Sequence, residues 1–213
     1  MKITIIYDNE AKKQGLKADG GFPCLVEGLN MPPLLFDTGA SGSILLHNMK
    51  ELGISPSTIG IIVISHAHWD HAGGLQDILE LNKDAELYLP ASFGHTTPGR
   101  KTVTVKDACQ ICENVFTTGE LKGIEQSLAL MTERGILVVV GCSHPGVGNI
   151  LDAAAKFGTV YGIVGGFHGF DDFERLDSLS LICPCHCTQF KEEIKQLFPE
   201  VCSECGAGMV LEL

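Results

Sequence analysis

Short apolar runs alternate with polar segments along most of the chain. Runs rich in Val and Ile, such as 61–64 and 136–140, are too short for helices and predict buried strands. We predict strands at 2–6, 23–29, 34–36, 61–64, 86–89, 102–105, 127–131, 136–140, 159–164 and 179–182. In the segment "EQSLALMTERGILVVV", Gly135 lies between two of these runs, which predicts a β-hairpin.

Four segments repeat apolar residues every three or four positions, which is the helical period. They are 43–52, which ends at Gly53, then 72–82, 146–157, and 188–198, which opens with Thr188 and closes before Pro199. Hairpins early in the chain and strand–helix crossovers later predict two mixed sheets packed face to face, with helices outside. With 213 residues, 45% of them hydrophobic, we expect a single domain over 1–213.

A dense group of coordinating side chains follows the strand predicted at 61–64. The segment "SHAHWDHAGG" contains His66, His68, Asp70 and His71. Residues two apart in an extended segment point to the same side, so His66 and His68 can bind one ion together. Asp70 and His71 begin the next helix and can face a second ion. Solvation of a turn does not explain imidazole at this density, and the stretch therefore predicts a metal site.

Single histidines follow three further predicted strands. His144 comes after "ILVVVGCS", His168 after "TVYGIVGGF" and His186 after "LSLICPC". Because each lies just past the carboxyl end of a strand, the side chains could converge on one edge of the sheets. His47, inside an amphipathic helix, and His95, in a turn-rich segment, are predicted to be surface or internally satisfied residues.

The composition narrows the functional classes. The net charge of −11 repels nucleic acid and anionic lipid, and no basic patch reverses it. No apolar stretch approaches the roughly 20 residues of a membrane helix, and the N-terminal apolar run is too short for a signal peptide. We therefore expect a cytoplasmic protein that binds neither nucleic acid nor membrane. The oligomeric state is left open.

The nine cysteines suggest a second, separate chemistry. Their odd number and the ample apolar content argue against a disulfide scaffold and favour reduced or metal-bound thiols. "CQIC" at 109–112 and "CSEC" at 202–205 are Cys-x-x-Cys pairs that could form a joint Cys₄ metal site if the fold brings them together. The alternative is surface or redox-active thiols.

Several motifs together resemble one enzyme superfamily. "HAHWDH" matches the His-x-His-x-Asp-His signature of the metallo-β-lactamase superfamily, and "FDTGAS" resembles its aspartate-bearing strand end. "GCSHPGVGNI", "GGFH" and "CHCT" resemble the branch of dihydropterin-ribofuranosylaminobenzene 5'-phosphate synthase-like metal-dependent hydrolases. The resemblance implies a four-layer αββα sandwich, the metallo-β-lactamase fold. It also implies one or two divalent metals at the sheet edge, with zinc the first choice and manganese or iron the alternatives.

The resemblance also implies roles for individual residues. The ligands of the two ions correspond to His66, His68 and His144 for the first, and to Asp70, His71 and His186 for the second. Asp37 resembles an aspartate that orients a ligand histidine by accepting its other ring proton. Asp70 is also a candidate proton acceptor, and His168 a candidate catalytic residue. Where most hydrolases of the superfamily have an aspartate that bridges the metals, this chain offers Cys142 or Ser143.

Three functions from different classes follow. The first is a metal-dependent hydrolase that uses metal-activated water on a small anionic or phosphate-bearing substrate. The second is an iron redox protein of the same fold, although diiron members have Glu where this chain has His68. The third is a non-catalytic metal-binding or thiol-binding module.

Overall fold

The strands of this protein form two sheets that pack face to face. The structure is a computed structural model that describes residues 1–94 and 99–213. In that part of the chain the strands are β1 Lys2–Ile5, β2 Cys24–Glu27, β3 Leu34–Phe36, β4 Ile61–Val63, β5 Glu86–Pro90, β6 Thr102–Val105, β7 Cys109–Cys112, β8 Val115–Thr117, β9 Leu128–Thr132, β10 Gly135–Val140, β11 Val160–Gly166, β12 Leu181–Cys185 and β13 Val210–Glu212. One sheet has the order β13-β1-β2-β3-β4-β5-β6 and the other β12-β11-β10-β9-β8-β7.

Helices cover the outer face of each sheet. They are α1 Gly42–Glu51, α2 Trp69–Ala72, α3 Leu75–Leu81, α4 Val147–Ala154 and α5 Lys191–Leu197, with short 3₁₀ helices at Pro56–Thr58, Ala91–Phe93 and Phe173–Leu176. One apolar cluster fills the space between the sheets. A second joins the β1 sheet to α1 and α3, and a third joins the β12 sheet to α4 and α5. This is the predicted αββα sandwich.

Strand alternation explains these layers. On β3, Leu34 and Phe36 face the cluster between the sheets, whereas Leu35 faces the helices. On β10, Val139 and Val140 divide in the same way between the inner cluster and the helix-side cluster. Because successive side chains of a strand point to opposite faces, a strand buried on both sides must be apolar throughout.

Parallel pairing brings the carboxyl ends of the important strands to shared edges. β3, β4, β5 and β6 pair in parallel, and so do β10, β11 and β12. β9 and β10 form the predicted antiparallel hairpin. The segments that follow β3, β4, β10, β11 and β12 therefore leave the two sheets at the same end of the sandwich.

Two helix predictions need correction. The helix predicted at 72–82 is interrupted at Gly73 and Gly74, which separate α2 from α3. Added Cβ atoms at these glycines would collide with the backbone of the segment after β3. The two segments are therefore too close together for a continuous helix with side chains at these positions. The helix predicted at 188–198 begins at Lys191, because the Thr188 side chain donates to the Cys185 carbonyl and accepts from the Phe167 amide in the turn after β12.

The Cys₄ prediction is wrong. Cys109 and Cys112 lie on β7, at one edge of their sheet, and Cys202 forms a bridge with Ile182 of β12, at the opposite edge. The pairing β7–β8 itself, and β13, were not predicted. The ring Nε2 of His47 lies 2.9 Å from the Gly15 carbonyl oxygen, and His95 lies outside the described residues. None of the described helices has both the length and the apolar character of a membrane span.

A glycine on β11 tests how tightly the strands beside the site are packed. Gly165 has φ +130° and pairs with Val140, and an added Cβ would overlap the Val140 carbonyl oxygen. Gly53, with φ +72°, has no atom within 4 Å of its added Cβ. We expect Gly53→Ala to lower the free energy of unfolding by about 1 kcal/mol from backbone strain alone. Gly165→Ala adds overpacking and should cost about 3 kcal/mol or more. Urea unfolding of both variants measures this, and equal losses would contradict the packing described.

Candidate metal centre

The predicted ligands come from segments that follow three strands. His66 and His68 follow β4, with Asp70 and His71 on the short helix α2. His144 follows β10 and His186 follows β12. Among the described residues, two groups of side chains hold metal-binding atoms that all lie within 4.8 Å of one another. The first group is His66, Cys142 and His144; the second is Asp70, His71, Cys142 and His186.

The predicted ligand His68 is in neither donor group, but its ring lies beside the two imidazoles of the first group. The ring centroids of His66 and His68 are 4.5 Å apart, and those of His66 and His144 and of His68 and His144 are each 4.7 Å apart. All three pairs are edge-to-face, with interplanar angles between 69° and 81°. His66 is buried, His144 is half-buried and His68 is exposed, so the group opens to solvent on the His68 side.

In the second group His71, Cys142 and His186 are buried and Asp70 is half-buried. His71 Nε2 lies 3.2 Å from His186 Nε2, and the Asp70 Oδ2 atom lies 3.2 Å from His186 Nε2 and 3.8 Å from His71 Nε2. A tetrahedral ion with metal–nitrogen bonds of 2.0–2.1 Å separates its ligand atoms by about 3.3 Å. The spacing of these three atoms therefore fits ligands that share one ion.

Hydrogen-bond partners lie beside both Nδ1 atoms of the second group. His71 Nδ1 lies 2.7 Å from Asp37 Oδ2, so the ring donates there and its Nε2 lone pair points toward the group. His186 Nδ1 lies 2.8 Å from Asn9 Oδ1 and 3.1 Å from the Gly21 amide nitrogen. The Gly21 amide donates to this Nδ1, so without a metal the His186 proton is on Nε2, which donates to Asp70 Oδ2 at 3.2 Å. A metal ion in the place of this proton would bind the Nε2 atoms of His71 and His186, which lie 3.2 Å apart.

The first group shows the same arrangement. The Ser65 hydroxyl donates to Asp37 Oδ2 at 2.7 Å and must therefore accept from His66 Nδ1, which lies 2.9 Å away. This leaves His66 Nε2 as a buried nitrogen with no hydrogen-bond partner. A buried polar atom without a partner is costly, and a metal ion is a ligand that would satisfy it. The donor set thus fits divalent transition metals in both groups.

Glu125 is a site residue that the sequence analysis missed. Its side chain is fully buried, and one oxygen accepts from the amides of Cys142 and Ser143 at 2.9 and 3.0 Å. The other oxygen accepts from the His144 amide at 2.9 Å and from His144 Nδ1 at 3.0 Å. Glu125 thereby fixes both the loop after β10 and the ring of His144. It stands alone in "GIEQS", where no motif marks it.

Burial and hydrogen bonding shift the charges of these groups. Burial lowers the pKa of His66 to about 3, with neighbouring His71 adding to the effect, so this imidazole is neutral and able to bind metal across the physiological range. The hydrogen bond from His186 holds the pKa of Asp70 well below its usual range. Burial opposes the charged form of Glu125, but the hydrogen bonds from His144 and the loop amides lower its pKa to about 2.

The segments after the strands adopt strained backbone. Asp37, Ser143, His168 and His186 have φ of 58°, 61°, 50° and 49°, in the left-handed region that side chains rarely adopt. Each such residue costs roughly 1–2 kcal/mol. All four follow strands that end at the site, and the hydrogen bond from the His186 amide to Asp8 Oδ1, at 2.9 Å, shows how one of them is held. Strain of this kind concentrates at functional sites.

A pocket opens beside the first group. It has a volume of about 370 Å³ and is lined by Ser143, His144, Gly146, Phe167, His168, Gly169 and Phe170. His168 is in neither donor group; its ring centroid lies 5.2 Å from that of His144, and its side chain is exposed. The Trp69 side chain, which neighbours both His68 and Asp70 in the chain, is 69% exposed. The volume is in the range of small-molecule sites.

Comparison with known proteins identifies the family. The sequence model of the metallo-β-lactamase superfamily matches residues 25–122. The chain is 30% identical to 7,8-dihydropterin-6-methyl-4-(β-D-ribofuranosyl)-aminobenzene-5'-phosphate synthase of Methanocaldococcus jannaschii, over 84% of each chain. The chain belongs to the metallo-β-lactamase superfamily. An uncharacterized protein of the same archaeon is 28% identical, over 89% of this chain and 91% of its own length.

A solved structure shows the same fold over the whole chain. Tm1679, a metal-dependent hydrolase of the β-lactamase superfamily, superposes with a TM-score of 0.80 at 28% identity and covers 100% of this chain and 99% of its own. These findings confirm the superfamily and the αββα fold that the motifs predicted. The roles of individual site residues stay predictions.

Asp37 offers a test of how the ligands are oriented. In Asp37→Asn an amide replaces the acceptor of the His71 Nδ1 proton, and an amide NH₂ turned toward the ring would favour the wrong tautomer. We expect metal affinity to fall by about 10–100-fold. The matched control is Asp84→Asn, at an exposed position away from the site. Competition with a chelating dye measures the affinity and circular dichroism checks folding; unchanged affinity would exclude this role.

Proposed function

We propose that the protein is a metal-dependent hydrolase that acts on a small anionic, phosphate-bearing molecule. The observation that carries the proposal is the convergence of imidazole Nε2 lone pairs, a carboxylate and a thiol at one end of the sandwich, beside an open pocket. His66, His68 and His144 would hold one ion, and Asp70, His71 and His186 a second. Zinc is the first choice, with manganese or iron as alternatives.

The bound ions would supply an activated water and positive charge for a developing oxyanion. The side chains of the protein have separate tasks. Asp37 and Glu125 orient His71 and His144 through their Nδ1 protons. Asp70 stays ionised, because the hydrogen bond from His186 stabilises its charge, and this favours binding to the second ion. His168, at the wall of the pocket, is placed to contact the substrate.

An anionic substrate would depend on the metal centre for its attraction to this protein. The protein carries a net charge of −11, and neither lysine nor arginine is among the residues that line the pocket. An anion therefore needs the cationic metal centre to attract it. The name of the relative from Methanocaldococcus jannaschii describes a 5'-phosphate product, which agrees with a phosphate-bearing ligand.

The same relative favours a second candidate, because its name is that of a synthase. A synthase would use the same metal centre to make a phosphate-bearing product instead of hydrolysing one. Assays with phosphodiesters, phosphomonoesters and lactones test hydrolysis, and the zinc, manganese and iron forms should each be tried. Turnover of none of these compounds by metal-loaded protein would argue against the hydrolase.

Asp70 provides the sharpest test of the hydrolase. Asp70→Asn keeps the shape of the side chain but removes the charge needed to bind the second ion or to take a proton from metal-activated water. We expect turnover of any identified substrate to fall by at least about 10²-fold, while the fold and the ion held by His66, His68 and His144 persist. Asp84→Asn serves as the surface control. Rates should be compared at matched metal content, and near wild-type turnover would remove Asp70 from the reaction.

A further inference from the structure

Cys142 lies where the two donor groups meet. It follows β10, is 4% exposed, and contributes its Sγ atom to both groups. We infer that Cys142 is a thiolate ligand shared by both ions, so that the centre is a sulfur-linked pair rather than two separate histidine and carboxylate sites. This inference rests on the metal centre of the proposed function.

The first observation that supports a shared ligand is the position of Cys142 Sγ relative to both groups. Cys142 Sγ lies 3.1 Å from His71 Nε2, in the second group, and within 4.8 Å of the donor atoms of His66 and His144, in the first. Among the described residues, Cys142 alone belongs to both groups. A sulfur atom at this place is near the ligands of either ion.

The second supporting observation is that the same buried carboxylate fixes Cys142 and a ligand histidine. Glu125 accepts from the Cys142 amide at 2.9 Å and also from His144 Nδ1, so one carboxylate fixes both a first-group ligand and the residue between the groups. The His71 ring is held from its other side by Asp37. Cys142 is therefore positioned by the same contacts that position the ligands, as expected of a ligand and not of a filler of the apolar core.

The alternative is a simple S–H···N hydrogen bond from Cys142 to His71 Nε2. That bond would account for the 3.1 Å contact but leaves His66 Nε2 without a partner. In that alternative His186 Nε2 donates to Asp70 Oδ2 at 3.2 Å, so the unpartnered His66 nitrogen is the observation that it fails to explain. A thiolate and two ions satisfy all of these nitrogens.

A shared thiolate ligand would restrict the metals that the centre binds. A thiolate is a soft ligand that favours zinc, cobalt or iron over manganese and magnesium. Because the thiol must lose its proton to bind, loading the centre releases one proton from Cys142. Cobalt(II), which replaces zinc and is coloured, then reports directly on sulfur ligation.

Cys187 provides a matched control. Its Sγ atom lies 3.8 Å from the Cys142 carbonyl oxygen, so it is a neighbouring thiol, but it is absent from both donor groups. Cys187→Ser and Cys142→Ser each replace one sulfur by oxygen with little change of shape. Cys142→Asp supplies a carboxylate at the shared position and keeps an anionic ligand there.

The experiment is an anaerobic titration of the metal-free protein with cobalt(II), followed by absorption and electron paramagnetic resonance. In the wild type and in Cys187→Ser we expect a thiolate-to-cobalt charge-transfer band that rises with the first equivalent and about doubles with the second. The second equivalent should also weaken the resonance signal, because a shared ligand couples the two spins. Cys142→Ser and Cys142→Asp should lack the band, and Cys142→Asp should still bind two ions.

Each contrary result has its own meaning. A wild-type band that is complete after one equivalent would show sulfur bound to a single ion and overturn sharing. A band that survives in Cys142→Ser but disappears in Cys187→Ser would assign the sulfur to Cys187. Two bound ions with no band in the wild type would exclude a thiolate while leaving the proposed function intact. Failure of the wild type to bind cobalt, zinc, manganese or iron would instead defeat the proposed function itself.

Discussion

The candidate site depends on hydrogen bonds from the Nδ1 atoms of three histidine rings. Ser65, Asp37 and Glu125 accept these protons from His66, His71 and His144. An imidazole whose Nδ1 carries the proton has a lone pair on Nε2, and in each group these lone pairs point inward. The rings therefore have the tautomer and orientation for metal binding before any ion arrives. Holding nitrogen atoms without hydrogen-bond partners close together lowers the stability of the folded protein.

Two buried carboxylates, those of Asp37 and Glu125, hold the rings in place against this destabilisation. Asp37 accepts from the Ser65 amide at 2.7 Å as well as from the side chains of Ser65 and His71, which ties the end of β3 to the segment after β4. Glu125 ties the segment before β9 to the loop after β10. A buried carboxylate is tolerated only when it is fully hydrogen-bonded, so these two residues link the strand ends of both sheets to the site. Loosening either carboxylate should disturb local structure and ligand geometry together.

The sequence was most informative where the chemistry is local. The spacing of His66, His68, Asp70 and His71 follows from one extended segment and one helical turn, so it could be interpreted without a fold. The convergence of His144 and His186 required only that they follow strands in parallel sheets. Glu125 and Asn9 could not be found in this way, since each acts on a ring distant in sequence and lies in no recognisable motif. The Cys₄ prediction failed for the same reason: spacing within a pair says nothing about which sheet edge the pair occupies. For the place of the bridging aspartate the sequence offered Cys142 or Ser143, and only the distances in the fold single out Cys142.

We propose that these side chains form a centre for two transition-metal ions. Its most direct test is elemental analysis of protein purified under anaerobic conditions without added metal, with the chain quantified in the same sample. We expect the purified protein to contain transition metal, and the metal content to rise to about two ions per chain after incubation with zinc and removal of the excess. Protein that is folded, contains no transition metal and takes up none of zinc, manganese or iron would contradict it.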